Sequence, residues 1–262
     1  MREAEVAQCR RLPGSVEEVL FSSLRNGRKV PAIAWLPLGH DRAPLVLLGH
    51  GGSGHKAIDR HRQFAIRLAA RAGVASIAID GPYHGDRAMP GDRPLDYQQR
   101  VVDEGPIAVH QRMSQDWLAA VDSAADAWSI DRDFVGYLGM SMGARYGFGI
   151  CSALGPRLRC AVLGQFGLEA GDSMMKAMVM DAALLRSAND IEAPVLFHVQ
   201  WDDEIFSRRG QLDLFDQLAS PEKQLRARPG RHAQTRPDDE TACCDHLTHH
   251  LQRQVRFSQQ PP

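Results

Sequence analysis

The chain has 262 residues, of which 44% are hydrophobic and 24% charged, a composition typical of a globular protein that buries a substantial core. Its net charge of -1 at pH 7 offers no electrostatic basis for binding nucleic acid or an anionic membrane. The charged start at residues 1–5 leads into no apolar stretch of the kind that a signal peptide requires, and no run of about 18 apolar residues could span a bilayer. We therefore expect a cytoplasmic protein in which residues 1–262 form a single domain.

The cysteines argue against a disulfide framework and against a metal site. There are five of them, an odd number, and none stands in a CxxC pair. We therefore expect free thiols, and neither a metal nor another cofactor. The cysteines are Cys9, Cys151, Cys160, Cys243 and Cys244.

The first two predicted strands form an antiparallel hairpin. Residues 16–24 and 29–36 are β-prone, and Asn26-Gly27 lies between them. Asn-Gly between two such runs is a strong signal for a tight hairpin turn, because both residues tolerate a positive φ. We expect the chain to begin with this antiparallel pair.

From about residue 44 onward, apolar runs of strand length alternate with segments of helical spacing. The continuous apolar run at 45–49 is typical of a strand covered on both faces. The alternation predicts an α/β fold with a mostly parallel sheet and helices on both faces. The further strands are expected at 74–79, 133–138, 159–163, 194–199 and 223–227, and the helices at 59–72, at 111–128, from Ser141 to about 154, at 208–219 and at 239–256.

Two connections are long enough to cover a site at the edge of the sheet. Residues 86–107 are rich in Pro, Gly, Asp and Arg, and we predict a long loop of the kind that often serves as a functional lid. Residues 164–189 contain a loop and an amphipathic segment. The methionines at 174–180 can line an apolar pocket or belong to the helix core, and the helix core is favoured. We expect the two connections to form a partial lid.

A strand-to-helix turn at Ser141 is the strongest chemical signal in the chain. The motif Gly139-Met140-Ser141-Met142-Gly143 follows a predicted strand and opens a predicted helix. Glycines stand where side chains would collide with the neighbouring strand and helix, so the chain can turn abruptly. Ser141 would then be held at the tip of the turn as a nucleophile. The backbone N–H of Met142, at the start of the helix, is placed to stabilise an oxyanion.

Partners for Ser141 are found farther along the chain. A serine hydroxyl is a weak nucleophile, so it needs a histidine base and a carboxylate that orients the histidine. Asp203 and His232 each follow the end of a predicted strand, in the order Ser, acid, His. The carboxyl ends of parallel strands lie at one edge of a sheet, so the three side chains are expected to meet there.

These features resemble the α/β-hydrolase superfamily, in particular its smaller serine esterases and dienelactone-hydrolase-like members. The resemblance covers nearly the whole chain, from the N-terminal hairpin to the last helix. It implies the α/β-hydrolase fold. The motifs that carry it are, in chain order, His50-Gly51-Gly52, Gly139-Met140-Ser141-Met142-Gly143, Asp202-Asp203 and Pro229-Gly230-Arg231-His232.

The roles implied by this resemblance follow from position. Ser141 matches the family nucleophile, Asp203 the acid and His232 the base. The backbone N–H groups of Gly52 and Met142 match the two donors of the oxyanion hole.

The chain departs from the family pattern in two places. Dienelactone hydrolases proper have a cysteine nucleophile where this chain has Ser141, so a lactone substrate is not implied. Asp202 and Asp203 are adjacent, and their side chains lie on opposite sides of an extended backbone. The resemblance favours Asp203, because family acids usually stand three residues after a position that is typically glycine, here Gln200.

Other polar residues have alternative interpretations. His50 is expected beneath the oxyanion loop as a structural hydrogen-bonding group, and His84 similarly beside the strand end at Asp80. Asp80 and Asp86 flank a loop that also contains His84, so a metal site is conceivable, but no ligand spacing supports it and a tight turn is favoured. Surface positions in the last helix are expected for His246, His249 and His250.

The predicted function is that of a serine hydrolase that cleaves a small or medium carboxylic ester, or a thioester, through an acyl-enzyme. The expected partner is a small-molecule ester, and the oligomeric state stays open. A hydrolase of C–C or peptide bonds on the same scaffold is one alternative, because a fold does not settle its substrate. A catalytically silent binding protein is the other alternative.

Overall fold

The structure is a computed structural model that describes residues 4–93, 95–171, 173–178 and 180–258. One sheet of nine strands runs through this part of the chain. In chain order the strands are β1 (Glu5–Leu12), β2 (Val16–Arg25), β3 (Arg28–Pro37), β4 (Ala43–Gly49), β5 (Ala75–Ile79), β6 (Ile130–Met140), β7 (Leu158–Gly164), β8 (Val195–Gln200) and β9 (Lys223–Arg228). Their order across the sheet is β1-β2-β3-β5-β4-β6-β7-β8-β9.

The directions of the strands divide this sheet into two parts. β1, β2 and β3 pair antiparallel in sequence, and β3 pairs antiparallel with β5. From β5 through β4 to β9 the pairing is parallel. Parallel neighbours need crossover connections, which are usually helices. The predicted mostly parallel sheet is therefore confirmed.

Helices cover both faces of the sheet. Leu45 and Leu47 of β4 pack into one hydrophobic cluster, and Val46 and Leu48 of the same strand pack into a second. The helices are α1 (Asp59–Ala72), α2 (Asp96–Glu104), α3 (Pro106–Ala127), α4 (Met142–Leu154), α5 (Ser173–Met178), α6 (Asp181–Asn189), α7 (Arg208–Asp216) and α8 (Pro237–Ser258). The first cluster includes residues of α3, α4, α6 and α7, and the second includes residues of α1 and α8.

The N-terminal hairpin is confirmed, but the chain does not begin with it. Leu24 pairs with Lys29 across a turn in which Asn26 and Gly27 have φ of 48° and 75°. Positive φ at both central residues fits the twist of the flanking strands. β1 precedes the pair and adds an antiparallel edge strand. Its residues are almost all exposed, so its sequence lacks the apolar alternation that marks a half-buried strand.

The prediction of a long loop over 86–107 is wrong. A 3₁₀ turn at Gly85–Arg87 and helix α2 lie in this segment, and α3 begins at Pro106. Tyr97 and Val101 of α2 are buried, and residues four apart share one helix face. Proline fits the first position of a helix because its φ is already set and its missing N–H would have had no helical partner. From the sequence, Pro106 is predicted to lie in the loop.

The prediction of surface histidines in the last helix holds for His249 and is wrong for His246 and His250. These two side chains are buried, and their ring centroids lie 4.6 Å apart. They are four residues apart, so they lie on one face of α8, which packs against β6 and β7. Periodicity shows that a helix has a buried face, but a histidine can lie on either face.

Buried histidines should make the fold sensitive to acid. Burial lowers the pKa of His61, His110, His198 and His246 from 6.5 to about 4. The unfolded chain takes up these protons near pH 6.5 and the folded chain only near pH 4, so stability present above pH 6.5 is lost as the pH falls towards 4. Each group can change the free energy of unfolding by about 1.4 kcal/mol per pH unit in this window.

Urea unfolding at about pH 7.5 and 5 should show this loss of stability. His61→Gln should make the pH dependence shallower, and the exposed control His249→Gln should leave it unchanged; equal slopes in both variants would contradict the assignment.

The helices and the cysteines can be compared with what the composition predicts. Within the described residues, no helix is both long enough and apolar enough to cross a bilayer. Cys9 is an exposed free thiol, and the other four cysteines are buried free thiols. Burial raises the pKa of Cys151 and Cys160, which keeps these thiols protonated and unreactive.

Candidate active site

Ser141 occupies a strained turn between β6 and α4. Its φ is 58° and its ψ is -122°, a combination that residues with a side chain rarely adopt. Strand β7 holds this turn in place, because the Ser141 N–H donates to the carbonyl oxygen of Gly164 at 3.0 Å. The hydroxyl is therefore fixed at the carboxyl edge of the sheet.

The two motif glycines permit this turn by close packing. A Cβ on Gly139 would lie 2.7 Å from the carbonyl carbon of Gly143, and a Cβ on Gly143 would lie 2.5 Å from the carbonyl oxygen of Gly49. Both distances are too short for any side chain. The Tyr137 hydroxyl adds a hydrogen bond to the Gly143 carbonyl at 2.7 Å. The beginning of α4 is thus pressed against β4 and β6.

His232 connects Ser141 to Asp203 through one chain of hydrogen bonds. It lies in the loop after β9, and its Nε2 is 2.8 Å from the Ser141 Oγ. Its Nδ1 is 2.8 Å from Oδ2 of Asp203, whose side chain is fully buried. The structure thus brings together the three side chains that the sequence placed at one edge of the sheet.

The two adjacent aspartates have different partners. Asp203 Oδ1 accepts the backbone N–H groups of Ile205 and Phe206, at 2.8 and 3.0 Å. Asp202 is exposed and accepts the Gly230 N–H at 3.2 Å. Only Asp203 therefore contacts the imidazole, as the resemblance favoured.

His50 and Gly52 shape the loop that faces Ser141. His50 Nδ1 donates to the Gly51 carbonyl at 2.8 Å, and its Nε2 accepts the Gly81 N–H at 2.8 Å. Burial lowers the pKa of His50 well below its usual value, so the ring is neutral and its tautomer is set by these two bonds. A Cβ on Gly52 would lie 2.5 Å from the Tyr97 hydroxyl, which explains glycine at this position. His50 therefore has the structural role that was expected of it.

The backbone N–H of Met142 belongs to the first residue of α4. Donors in the first turn of a helix have no partner inside the helix, and the helix dipole makes them favourable sites for negative charge. His84 contacts the loop that carries Gly52, because its Nε2 lies 2.9 Å from the Gly52 carbonyl oxygen. Two loops and one helix start therefore converge near the Ser141 hydroxyl.

A cavity of about 450 Å³ opens beside Ser141 and His232. Tyr97 of α2 and Met175 of α5 belong to its walls. Met178 and Met180 are buried in the core, as predicted, whereas Met175 is half-buried, packs against the same core and also lines the cavity. A more open cavity of about 700 Å³, lined by residues 168–171 and 203–207, lies on the other side of Ile205.

Comparison with known proteins identifies the family. No protein-family model matches the chain, and no curated protein matches it. A solved structure of a cold-adapted esterase from an Arctic intertidal metagenomic library has a TM-score of 0.78 to it and is 31% identical in sequence; the alignment covers 94% of this chain and 98% of the esterase. The chain belongs to the α/β-hydrolase superfamily.

More distant α/β-hydrolases share the fold. Acetyl xylan esterase 1 from a Thermoanaerobacterium species is 16% identical, with a TM-score of 0.73 over 95% of this chain and 88% of that protein. A dienelactone-hydrolase-like promiscuous phosphotriesterase from metagenomic libraries is 18% identical, with a TM-score of 0.67 over 90% of this chain and 99% of that protein. The predicted α/β-hydrolase fold is therefore confirmed.

One contact of this α/β-hydrolase site is not predicted by the sequence. Glu204 Oε2 accepts the backbone N–H of His232 at 2.9 Å and lies 3.5 Å from the Arg231 Nε. The His232 N–H is the main cause that lowers the pKa of Glu204. Glu204 therefore fixes the loop that carries His232. Its position directly after Asp203 was the only signal in the sequence.

A lysine occupies the place where a metal was conceivable. Lys56 Nζ lies 2.7 Å from a carboxylate oxygen of Asp80 and 2.7 Å from one of Asp86. Within the described residues, no cluster of His, Cys, Asp and Glu is arranged to hold a metal ion. The tight turn is observed directly, because the His84 N–H donates to the carbonyl oxygen of Gly81 at 3.1 Å. The ion pair ties the loop after β4 to the loop after β5, and both border the site.

Breaking this ion pair should destabilise the protein. Asp80 is fully buried, and its loss would leave the ammonium of Lys56, itself 7% exposed, without its buried partner. We expect Asp80→Asn to lower the free energy of unfolding by about 3 kcal/mol or more. Asp86→Asn is the matched control, because this carboxylate is 70% exposed and should contribute about 1 kcal/mol or less. Urea unfolding of the two variants tests the ranking, and equal losses would contradict it.

Proposed function

We propose that this protein is a serine hydrolase of small or medium carboxylic esters, with Ser141 as nucleophile, His232 as base and Asp203 as acid. The observation that carries the proposal is the hydrogen-bond chain from Asp203 through His232 to Ser141, with 2.8 Å at each step, at the edge of a cavity. The esterase that is 31% identical supports ester hydrolysis. The same acyl chemistry extends to thioesters.

The proposed reaction follows from this chain of hydrogen bonds. The His232 Nδ1–H donates a hydrogen bond to Asp203 and keeps its proton, while Nε2 accepts the Ser141 proton as Oγ attacks the acyl carbonyl carbon. The backbone N–H groups of Gly52 and Met142 stabilise the oxyanion. His232 then protonates the leaving alcohol, and an acyl-enzyme remains. Water, deprotonated by His232, attacks the acyl carbon and releases the acid.

The proposed substrate size follows from the walls of the cavity. Segments 86–107 and 164–189 carry α2, α5 and α6, and in this proposal they form the partial lid. Each additional buried CH₂ group contributes about 0.8 kcal/mol only while the cavity has room. In about 450 Å³ shared with the reacting groups, that room is soon filled. Longer acyl chains are then excluded sterically.

A series of p-nitrophenyl esters of increasing acyl length tests both the activity and this limit. We expect hydrolysis, with kcat/KM highest for acyl chains of roughly two to six carbons. No rise in rate is expected at the solubility limit of the longer esters. Absence of hydrolysis across the series would contradict the proposed activity. Fastest hydrolysis of long-chain esters, with a jump at their solubility limit, would instead contradict the proposed lid.

A further inference from the structure

Arg145 is a buried cation without a carboxylate partner. It lies in α4, one turn after Ser141, and only 3% of the residue is exposed. Its Nε and Nη2 have no hydrogen-bond partner, and its Nη1 donates to the thioether sulfur of Met178 at 3.6 Å, a weak acceptor. No carboxylate in the described part of the chain forms an ion pair with this guanidinium.

Paired charges elsewhere in the protein show why this is unusual. The buried carboxylate of Asp116 lies 2.7 Å from Arg28 and 2.8 Å from Arg87, and the buried Asp80 is paired with Lys56. A guanidinium that loses its water on folding and gains no anion is unfavourable. A cation in such a place is explained if it receives an anion from outside the chain.

Arg145 lies behind the wall of the cavity beside Ser141. Its N–H donates to the Ser141 carbonyl at 3.0 Å, and an arginine in a helix extends towards the helix N-terminus, here towards Ser141. Tyr97 lines the cavity; burial raises its pKa, and the charge of Arg145 partly opposes this rise. Met175 also lines the cavity, and Met178, three residues later on the same face of α5, covers the guanidinium. Helix α5 therefore contacts both, with Met175 at the cavity and Met178 at the cation.

Further buried polar groups without hydrogen-bond partners lie near the guanidinium. The Tyr146 hydroxyl and both ring nitrogens of His110 are buried without hydrogen-bond partners. The Cζ of Arg145 is 5.3 Å from the Tyr146 ring centroid, which is 6.2 Å from that of His110. Burial, and then the charge of Arg145, lowers the pKa of His110 to about 4, so this ring is neutral. One fixed positive charge with neutral donors around it suits a monoanion.

We infer that Arg145 recognises a carboxylate at the far end of the acyl chain, so that the substrate is a half-ester of a short dicarboxylic acid. The inference rests on the proposed function, because the acyl chain enters from Ser141. Met178 must turn aside, which its flexible, unbranched side chain allows. The guanidinium then presents two N–H groups to the carboxylate oxygens. A neutral acyl chain leaves the cation unpaired.

The first test compares monomethyl and dimethyl esters of succinate, glutarate and adipate, with acid release followed in a pH-stat. The wild-type protein should have a kcat/KM for the best monoester about tenfold or more above that of its diester, per ester group. Arg145→Gln should lower this ratio about tenfold or more, mainly through KM, and Arg145→Lys should keep part of it.

Arg60→Gln is the matched control for these kinetics. Arg60 also lines the cavity, but it lies 3.6 Å from the carboxylate of Glu240. Its variant should keep the wild-type ratio. A wild-type preference for diesters would overturn the inference, as would a preference for monoesters that Arg60→Gln abolishes and Arg145→Gln leaves intact.

A second test requires no hydrolysis. Ser141→Ala should bind glutarate in isothermal titration calorimetry, and adding Arg145→Gln should weaken binding about tenfold or more. Binding of glutarate through Arg145 in a protein that hydrolyses no ester would refute the proposed function and leave the anion site standing. Hydrolysis of the diesters without a preference for monoesters would refute the anion site and leave the proposed function standing.

The source of the anion is tested by thermal unfolding of Ser141→Ala in glutarate, chloride or acetate at equal concentration. A larger rise in Tm with glutarate that depends on Arg145 supports the inference. An equal rise with chloride or acetate would show a site for a free ion and overturn the substrate assignment. If Arg145→Gln does not fold, Arg145→Met replaces the unpaired cation with an apolar chain and serves in its place. The wild-type ratio of monoester to diester hydrolysis tests the substrate assignment without any variant.

Discussion

Ser141→Ala is expected to lower kcat for ester hydrolysis by about 10⁴- to 10⁶-fold, the range found when serine hydrolases lose their nucleophile. The hydroxyl is the group that His232 contacts at 2.8 Å, and the turn that holds it is fixed by the backbone, so alanine should leave the fold intact. Steady-state kinetics on a short-chain p-nitrophenyl ester gives the loss. Thermal unfolding of the same preparation shows whether the fold is retained.

A second serine provides the matched control for this variant. Ser53 lines the same cavity but is exposed on the loop after β4. Ser53→Ala should keep most of the activity and should still be labelled by a fluorophosphonate probe, whereas Ser141→Ala should lose the labelling. Retention of more than a tenth of the activity in purified Ser141→Ala would refute the assignment of the nucleophile. Absence of labelling in the wild-type protein would favour a catalytically silent fold.

Asp203→Asn is expected to lower kcat on the order of 10³- to 10⁴-fold, because the amide imposes the wrong imidazole tautomer. Asp203 Oδ1 accepts two backbone N–H groups, so the amide oxygen of asparagine must take that position. The amide NH₂ then faces His232 Nδ1, which must accept instead of donate. The ring proton moves to Nε2, where it prevents His232 from accepting the Ser141 proton.

The neighbouring carboxylate is the control for this prediction. Asp202→Asn removes a charge of the same sign one residue away, but its Oδ2 contacts only the exposed Gly230 N–H among the hydrogen bonds of the described residues. We expect its kcat to stay within about threefold of the wild-type value, as for an exposed charge. Nitrogen NMR of the imidazole should show the tautomer change in Asp203→Asn alone. The reverse ranking of the two variants would move the acid to Asp202.

Local chemistry made much of the site predictable from sequence. Gly139 and Gly143 are needed wherever a strand turns into a helix this tightly, so the motif identifies the turn without any tertiary information. Asn26-Gly27 identifies its hairpin for the same reason, since both residues adopt positive φ in the structure. His232 could be identified as a candidate because the carboxyl ends of parallel strands share one edge of the sheet, and His232 lies in a loop that follows such an end.

Helix α2 and the ion pairs could not be predicted in the same way. Helix α2 has a buried face of only Tyr97 and Val101, so its apolar signal is short and prolines and glycines surround it. Lys56 meets Asp80 across 24 residues, and no local pattern specifies such a pair. Burial of His246 and His250 depends on which face of α8 packs against the sheet.

The sequence by itself determined the strand-to-helix turn at Ser141, the alternation of parallel strands with helices and the edge of the sheet at which the polar loops meet, because each depends on neighbouring residues or on chain order. Only the tertiary structure shows that Asp203, and not Asp202, contacts the imidazole, since this depends on which side chain points inward. It alone also showed that Arg145 is buried without a carboxylate partner in the described residues. An unpaired charge is a property of everything that surrounds a side chain, and the surroundings of Arg145 come from helices far apart in the chain.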